Sequence, residues 1–324
     1  MNGPRRLFLR GALRAGGALA ATLALPWAAR AAEPGLFDTL DFDWVDAARQ
    51  RPVPVRLYLP AGADRQPLVV FSHGIGGSRR GYTWLGQYMA AQGVASLHLQ
   101  HVGSDRQVWT GGSLFGVFNR LIDAAQDQEA INRAQDLRFA LDTLFAGELH
   151  SRVDVQRVVA AGHSYGANTT LLASGARVQR EGKAVDLRDE RVKAAIVISA
   201  PPFYGETEPW RILQTVTVPS LHVTCTEDVI RIPGYYSGLQ DRLDVYEATA
   251  SARKWLAVYE GGSHSMFTDR SGTGGALNAQ AKVATRELAL AFVRGVFDGN
   301  DAALRQWPQR HAGILAKFSG PVLG

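Results

Sequence analysis

Seven short runs of apolar, largely β-branched residues recur along the chain: Val53–Leu59, Leu68–Ser72, Val94–Gln100, Val155–Ala161, Val192–Ser199, Ser220–Thr226 and Trp255–Tyr259. Within Leu68-Val69-Val70-Phe71 and Ala194-Ala195-Ile196-Val197-Ile198 there is no polar alternation, so neither face of those strands is suited to water. Strands buried on both faces belong to parallel sheets covered by helices. Helical stretches lie between the runs, at Tyr82–Gln92, Asp127–Phe145, Ala167–Arg180 and Asn278–Phe297. The second of these sets Ile131, Leu137, Leu141, Leu144 and Phe145 at helix-compatible spacing. The alternation predicts an α/β fold: a mostly parallel, doubly wound sheet with helices on both faces. With 46% hydrophobic and 20% charged residues in 324, the chain is neither disordered, collagenous nor a coiled coil.

Two segments break the alternation. Residues 103–121 are rich in Gly and aromatic side chains (Trp109, Phe115, Phe118), and 230–249 carry Pro233, Gly234, Tyr235, Tyr236 and Gly238. Long irregular segments in a compact domain are often functional coverings, so both are expected as lid segments on a single domain spanning 32–324.

The first 31 residues read as a targeting segment. Arg5-Arg6-Leu7-Phe8-Leu9-Arg10 is followed by an apolar run from Ala15 to Leu25, and Ala29-Arg30-Ala31 supplies a small-x-small cleavage pattern. The paired arginines are similar to a twin-arginine signal, which implies export machinery that carries folded proteins to the periplasm or beyond. The run of 11 residues falls short of the ~20 that span a bilayer. The same segment explains the charge. Five arginines lie in it with no acidic residue, while the whole chain has a net charge of +5, so the remainder is balanced. No basic surface is left over for nucleic acid. Cys225, the only thiol, sits in an apolar run, where a buried structural role is expected.

The chemistry centres on Gly162-His163-Ser164-Tyr165-Gly166, which follows the Val155–Ala161 strand and opens the Ala167 helix. A G-x-S-x-G sequence between strand and helix is a nucleophile elbow: the turn lifts the serine Oγ above the sheet, and glycines two residues away avoid collisions. The helix that follows presents its N-terminal N–H groups to developing negative charge. Ser164 is therefore the expected nucleophile.

An acid and a histidine should follow in that order. The Ser220–Thr226 strand ends in Glu227-Asp228, and Asp228 is favoured as the acid from its place at the carboxyl end of a late strand, where ligands gather. Glu227 is the rival, because one residue of register decides which carboxylate points inward. The Trp255–Tyr259 strand is followed by Glu260-Gly261-Gly262-Ser263-His264, and this Gly-rich loop can bring His264 over the sheet to Ser164. After the third strand, His73-Gly74-Ile75-Gly76-Gly77 provides an oxyanion-hole loop, with the main-chain N–H groups of Ile75 and Tyr165 as the expected donors. His73, His101, Trp109, Phe115 and Tyr235 are expected to line the substrate pocket. His98 and His222 lie within strand runs and read as core groups, and His163 is expected to face away from the Ser164 hydroxyl. No His/Cys/Asp cluster has metal-ligand spacing, so neither metal nor cofactor is called for.

These residues resemble the α/β-hydrolase superfamily, and more narrowly its dienelactone-hydrolase-like group, which includes the platelet-activating-factor acetylhydrolases. The resemblance rests on Phe71-Ser72-His73-Gly74-Ile75-Gly76-Gly77, Gly162-His163-Ser164-Tyr165-Gly166, Gly262-Ser263-His264-Ser265-Met266-Phe267 and Pro54-Val55-Arg56-Leu57-Tyr58-Leu59-Pro60, and spans residues 40–297. It implies a serine carboxylic ester hydrolase working through an acyl-enzyme on small to medium acyl esters or a lipid-like ester. Two departures stand out. Dienelactone hydrolases place cysteine where this chain has Ser164, and the acetylhydrolases take their acid after the preceding strand, where this chain has Ile198-Ser199-Ala200-Pro201-Pro202. An acyltransferase on the same residues and a non-catalytic exported binding protein are the alternatives.

Overall fold

In the computed structural model, which describes residues 35–321 apart from 63, 112, 181–182, 233 and 270–274, the apolar runs become the interior of a nine-stranded sheet. Residues 1–31, where the sequence leads one to expect a targeting segment, lie outside the described residues. In chain order the strands are β1 (Phe37–Asp46), β2 (Arg51–Pro60), β3 (Gln66–Ser72), β4 (Ala95–Leu99), β5 (Val153–His163), β6 (Arg177–Arg180), β7 (Lys183–Asp186), β8 (Val192–Ile198), β9 (Ser220–Cys225), β10 (Ile230–Ile232), β11 (Tyr235–Ser237), β12 (Lys254–Tyr259) and β13 (Leu315–Ser319). The large sheet runs β1-β2-β4-β3-β5-β8-β9-β12-β13. From β4 to β12 every pairing is parallel, while β1, β2 and β13 pair antiparallel at the margins. The helices are α1 (Thr83–Ala91), α2 (Leu114–Ala124), α3 (Asp127–Ala146), α4 (Tyr165–Ala173), α5 (Pro209–Leu213), α6 (Leu239–Ala248), α7 (Gly275–Phe297) and α8 (Ala302–Arg310).

Alternate residues of the central strands feed opposite layers. Val69 and Phe71 pack with Leu85 and Met89 of α1 and Leu288 and Phe292 of α7. Leu68 and Val70 face the other way, onto Leu137, Leu141 and Leu144 of α3. Each such side chain, once buried, contributes about 1.5–3 kcal/mol. This explains why the strands lack polar alternation: there is no wet face.

Three local outcomes differ from the sequence expectation. Helix α4 stops at Ala173, not Arg180, because the chain turns through Gly175 (φ +116°) into the β6–β7 hairpin. Residues 239–248 are not a covering segment; they form α6, whose Val245 joins the core beside β8, so the alternation simply resumes. The part of 230–249 that reaches the site is the β10–β11 hairpin. Residues 103–121 contain a short 3-10 turn (Arg106–Trp109) and most of α2.

Candidate active site

Strand β5 enters α4 through a bend at Ser164, whose φ of 56° and ψ of −126° lie where L-residues are strained. Packing enforces the bend. A Cβ on Gly166 would stand 1.9 Å from the Ser72 oxygen, and one on Gly162 would stand 2.1 Å from the Gly166 oxygen. Both contacts are impossible, so these glycines are steric requirements.

The bend presents Ser164 Oγ 2.8 Å from His264 Nε2. His264 Nδ1 lies 2.7 Å from Asp228 Oδ1. Three side chains from distant points of the sequence thus form one hydrogen-bonded row. Asp228 is fully buried, whereas Glu227 is exposed: the turn after β9, closed by the Asp228 N–H donating to the Cys225 oxygen at 3.2 Å, points Asp228 inward and Glu227 outward. Burial alone would raise the Asp228 pKa, but the His264 hydrogen bond and the nearby Arg242 guanidinium hold it well below the carboxylate range. Thr224 Oγ1 donates to Asp228 Oδ2 at 2.7 Å, and Arg242 Nη2 donates to Oδ1 at 3.3 Å. The carboxylate is therefore ionised and fixed. It holds the His264 proton on Nδ1 and leaves Nε2 as an acceptor for the Ser164 hydroxyl.

The loop after β3 runs against this bend. A Cβ on Gly74 would lie 3.1 Å from the Ser164 Cβ. Among the described residues, the main-chain N–H groups of Ile75 and Tyr165 meet no acceptor, and both residues border the same cavity as Ser164 and His264. Two free donors beside a hydroxyl can stabilise an oxyanion.

The cavity measures about 520 Å³. Its walls are mainly apolar, with Leu121, Ile131, Leu172, Val178, Ile230 and Phe203 among them. Trp109 and Tyr235 line it, as expected from the sequence. Three other expected pocket residues do not. Phe115 is 74% exposed on the outer side of α2 and is not part of the wall. His101 is fully buried behind the oxyanion loop, with Nδ1 3.0 Å from Asp136 Oδ2 and Nε2 3.0 Å from Ser72 Oγ. His73 is also buried, its Nε2 accepting from the His101 N–H at 3.1 Å. Both histidines are drawn inward by polar partners that face away from the cavity. Cys225 is buried as expected, and burial pushes its thiol up to about 12.

Sequence reasoning missed Arg133 and Asp136, and gave His163 no role beyond facing away from the Ser164 hydroxyl. Each acts on the site through contacts to residues 29 or more positions away, and no local motif marks such partners.

A family profile described as platelet-activating factor acetylhydrolase, isoform II, matches residues 45–109. That stretch holds the His73–Gly77 loop but not Ser164, Asp228 or His264. Comparison with curated proteins gives no significant match. Among solved structures, a ferulic acid esterase from Streptomyces cinnamoneus is similar over 89% of this chain and 98% of its own, at 23% identity and a TM-score of 0.63. The fold is that of an α/β-hydrolase. In an α/β-hydrolase sheet, ligands gather at the carboxyl ends of the strands, and here the loops after β3, β5, β8 and β12 converge on the cavity.

Proposed function

We propose that this chain is a serine hydrolase of carboxylic esters that works through an acyl-enzyme. The observation that carries the reading is the unbroken row from Ser164 Oγ through His264 to buried Asp228, at 2.8 and 2.7 Å, on the wall of an apolar cavity. In this mechanism Ser164 Oγ attacks the ester carbonyl while His264 Nε2 takes its proton. Asp228 stabilises the imidazolium, and the Ile75 and Tyr165 N–H groups receive the developing oxyanion. His264 then gives its proton to the leaving alkoxide. Water, activated by the same imidazole, releases the acid and restores the serine.

The family profile and the esterase neighbour support ester hydrolysis, and the apolar walls support an apolar acyl group in a small to medium or lipid-like ester. The twin-arginine pattern of residues 1–31 supports export to the periplasm or beyond. In this reading the β10–β11 hairpin and the Arg106–Trp109 turn border the cavity mouth through which the exported enzyme takes its substrate.

The test is a panel of nitrophenyl esters, from acetate to palmitate, assayed with wild type and Ser164→Ala. The expected outcome is turnover by wild type, with at least one chain length preferred, and a loss of about 10⁴-fold or more in the variant. Comparable turnover by both proteins would remove Ser164 from the chemistry.

A further inference from the structure

Arg133 on α3 is fully buried, yet among the described residues no carboxylate lies within hydrogen-bonding distance of its guanidinium. A buried charge without a direct counter-ion is destabilising, so its retention calls for a reason. Glu129 and Asp136, about one turn to either side on the same helix, offset the charge only at longer range. Its donors go elsewhere. Nη2 donates to the main-chain oxygen of His73, Nη1 to Ser104 Oγ at 2.8 Å, and Nε to Thr169 Oγ1 at 3.0 Å. The guanidinium also lies over the Tyr165 ring, 4.5 Å from its centroid.

These contacts converge on the segments that carry the two free amides. On one side, Ile75 sits between two anchored points: the His73 carbonyl, held by Arg133, and the Gly76 N–H, which donates to the Ser104 oxygen at 2.8 Å. Ser104 is itself held by Arg133. On the other side, the Thr169 hydroxyl accepts from Arg133 and donates to the Tyr165 oxygen at 3.1 Å, while the Tyr165 ring rests on the guanidinium. We propose that Arg133 is a positioning residue that fixes the Ile75 and Tyr165 amides relative to each other, and so sets the geometry of the oxyanion hole.

The proposal rests on the reading of those amides as oxyanion donors. A planar guanidinium can reach three separate acceptors and still stack on a ring; an ammonium cannot do both. Ground-state binding uses the cavity walls and needs no such alignment, so the cost of losing Arg133 falls on the transition state.

The experiment compares wild type with Arg133→Lys, Arg133→Met, Thr169→Val and Leu137→Ala. Leu137 lies one turn further along α3, buried in the core away from the loop, and controls for loosening of the helix. For the Arg133 variants the expected result is a fall in kcat of about 10- to 100-fold with KM within about threefold of wild type. Affinity for a trifluoromethyl ketone, whose adduct places an oxyanion between the two amides, should fall in parallel. Leu137→Ala should lower the thermal midpoint and leave kcat within about twofold. The proposal is overturned if a folded Arg133 variant keeps wild-type kcat, or if Leu137→Ala loses kcat equally. Should neither Arg133 variant fold, Thr169→Val decides: a drop in kcat at unchanged KM supports the proposal, and wild-type kcat rejects it. An inactive wild type would refute the esterase reading itself.

Discussion

The Nε2 of His163 lies 2.8 Å from the main-chain oxygen of His264, and the two imidazoles sit 4.9 Å apart, centroid to centroid. A carbonyl only accepts, so His163 carries its proton on Nε2, and Nδ1 accepts from the Tyr82 hydroxyl at 2.8 Å. Burial, aided by the nearby His264, draws His163 down to about 3, so it is neutral at physiological pH. The Tyr82 oxygen in turn faces the Gly74 N–H at 3.4 Å. The residue before Ser164 therefore ties the His264 loop to the oxyanion loop.

From that tie, His163→Ala is expected to lower kcat by about 10- to 100-fold with little change in KM, because His264 loses its anchored register with Ser164. Tyr82→Phe, which removes only the second link, should cost less. Steady-state kinetics on both variants checks the ordering; equal, wild-type kcat values would count against a shared scaffold.

Asp228 and Glu227 should respond in opposite ways. Asp228→Asn is expected to lower kcat by about 10⁴-fold, since the amide no longer enforces the productive tautomer of His264. It also leaves the buried Arg242 guanidinium without its counter-charge, which costs about 3–5 kcal/mol of stability. Glu227→Gln, at an exposed position, should leave both quantities within about twofold or 0.5 kcal/mol of wild type. Kinetics paired with urea denaturation separates the two.

Stability should fall as the solution is acidified below neutrality. Burial lowers His98 to about 4 and His101, His163 and His222 to about 3, and carries His73 in the same direction, from an ordinary value of 6.5. Between pH 6.5 and these depressed values the unfolded chain binds protons that the folded chain does not. Each imidazole therefore removes up to about 1.4 kcal/mol of stability per pH unit as pH falls through that window. Above pH 6.5 the contribution is fully present. The urea midpoint is expected to drop steadily from pH 7 to pH 5, and a flat midpoint would show that these histidines titrate normally.

Filling the cavity should change which esters are accepted. Ile131 lies in its wall on α3. Ile131→Trp is expected to cut kcat/KM for a decanoate ester at least about tenfold relative to acetate, by occupying space an acyl chain would use. An unchanged ratio would mean that the acyl group lies elsewhere.

The sequence carried the central strands and the elbow because both are written locally. Leu68–Phe71 and Ala194–Ile198 lack a polar face, and the steric demand at Ser164 falls on glycines only two residues away. Strand β13 was not legible: Leu315–Ser319 is short, and it forms only by pairing with β12. Helix α6 was hidden by the Gly- and Tyr-rich hairpin that precedes it.

The site was legible where function follows chain order, as for Ser164 and His264. The choice between Glu227 and Asp228 depends on the side-chain directions in the turn after β9, which only the folded turn supplies. His101 was misread as a pocket residue because its partners, Ser72 and Asp136, lie 29 and 35 residues away. Buried polar networks of this kind have no periodicity for a sequence to display.

The central claim is that the Ser164 hydroxyl is activated by His264. It is tested most directly by treating the purified protein with a fluorophosphonate and locating the adduct by peptide mass spectrometry. A single adduct on Ser164 is expected, formed at least about 100-fold more slowly in His264→Ala. An unlabelled Ser164 in folded wild type, or equal rates with and without the imidazole, would contradict it.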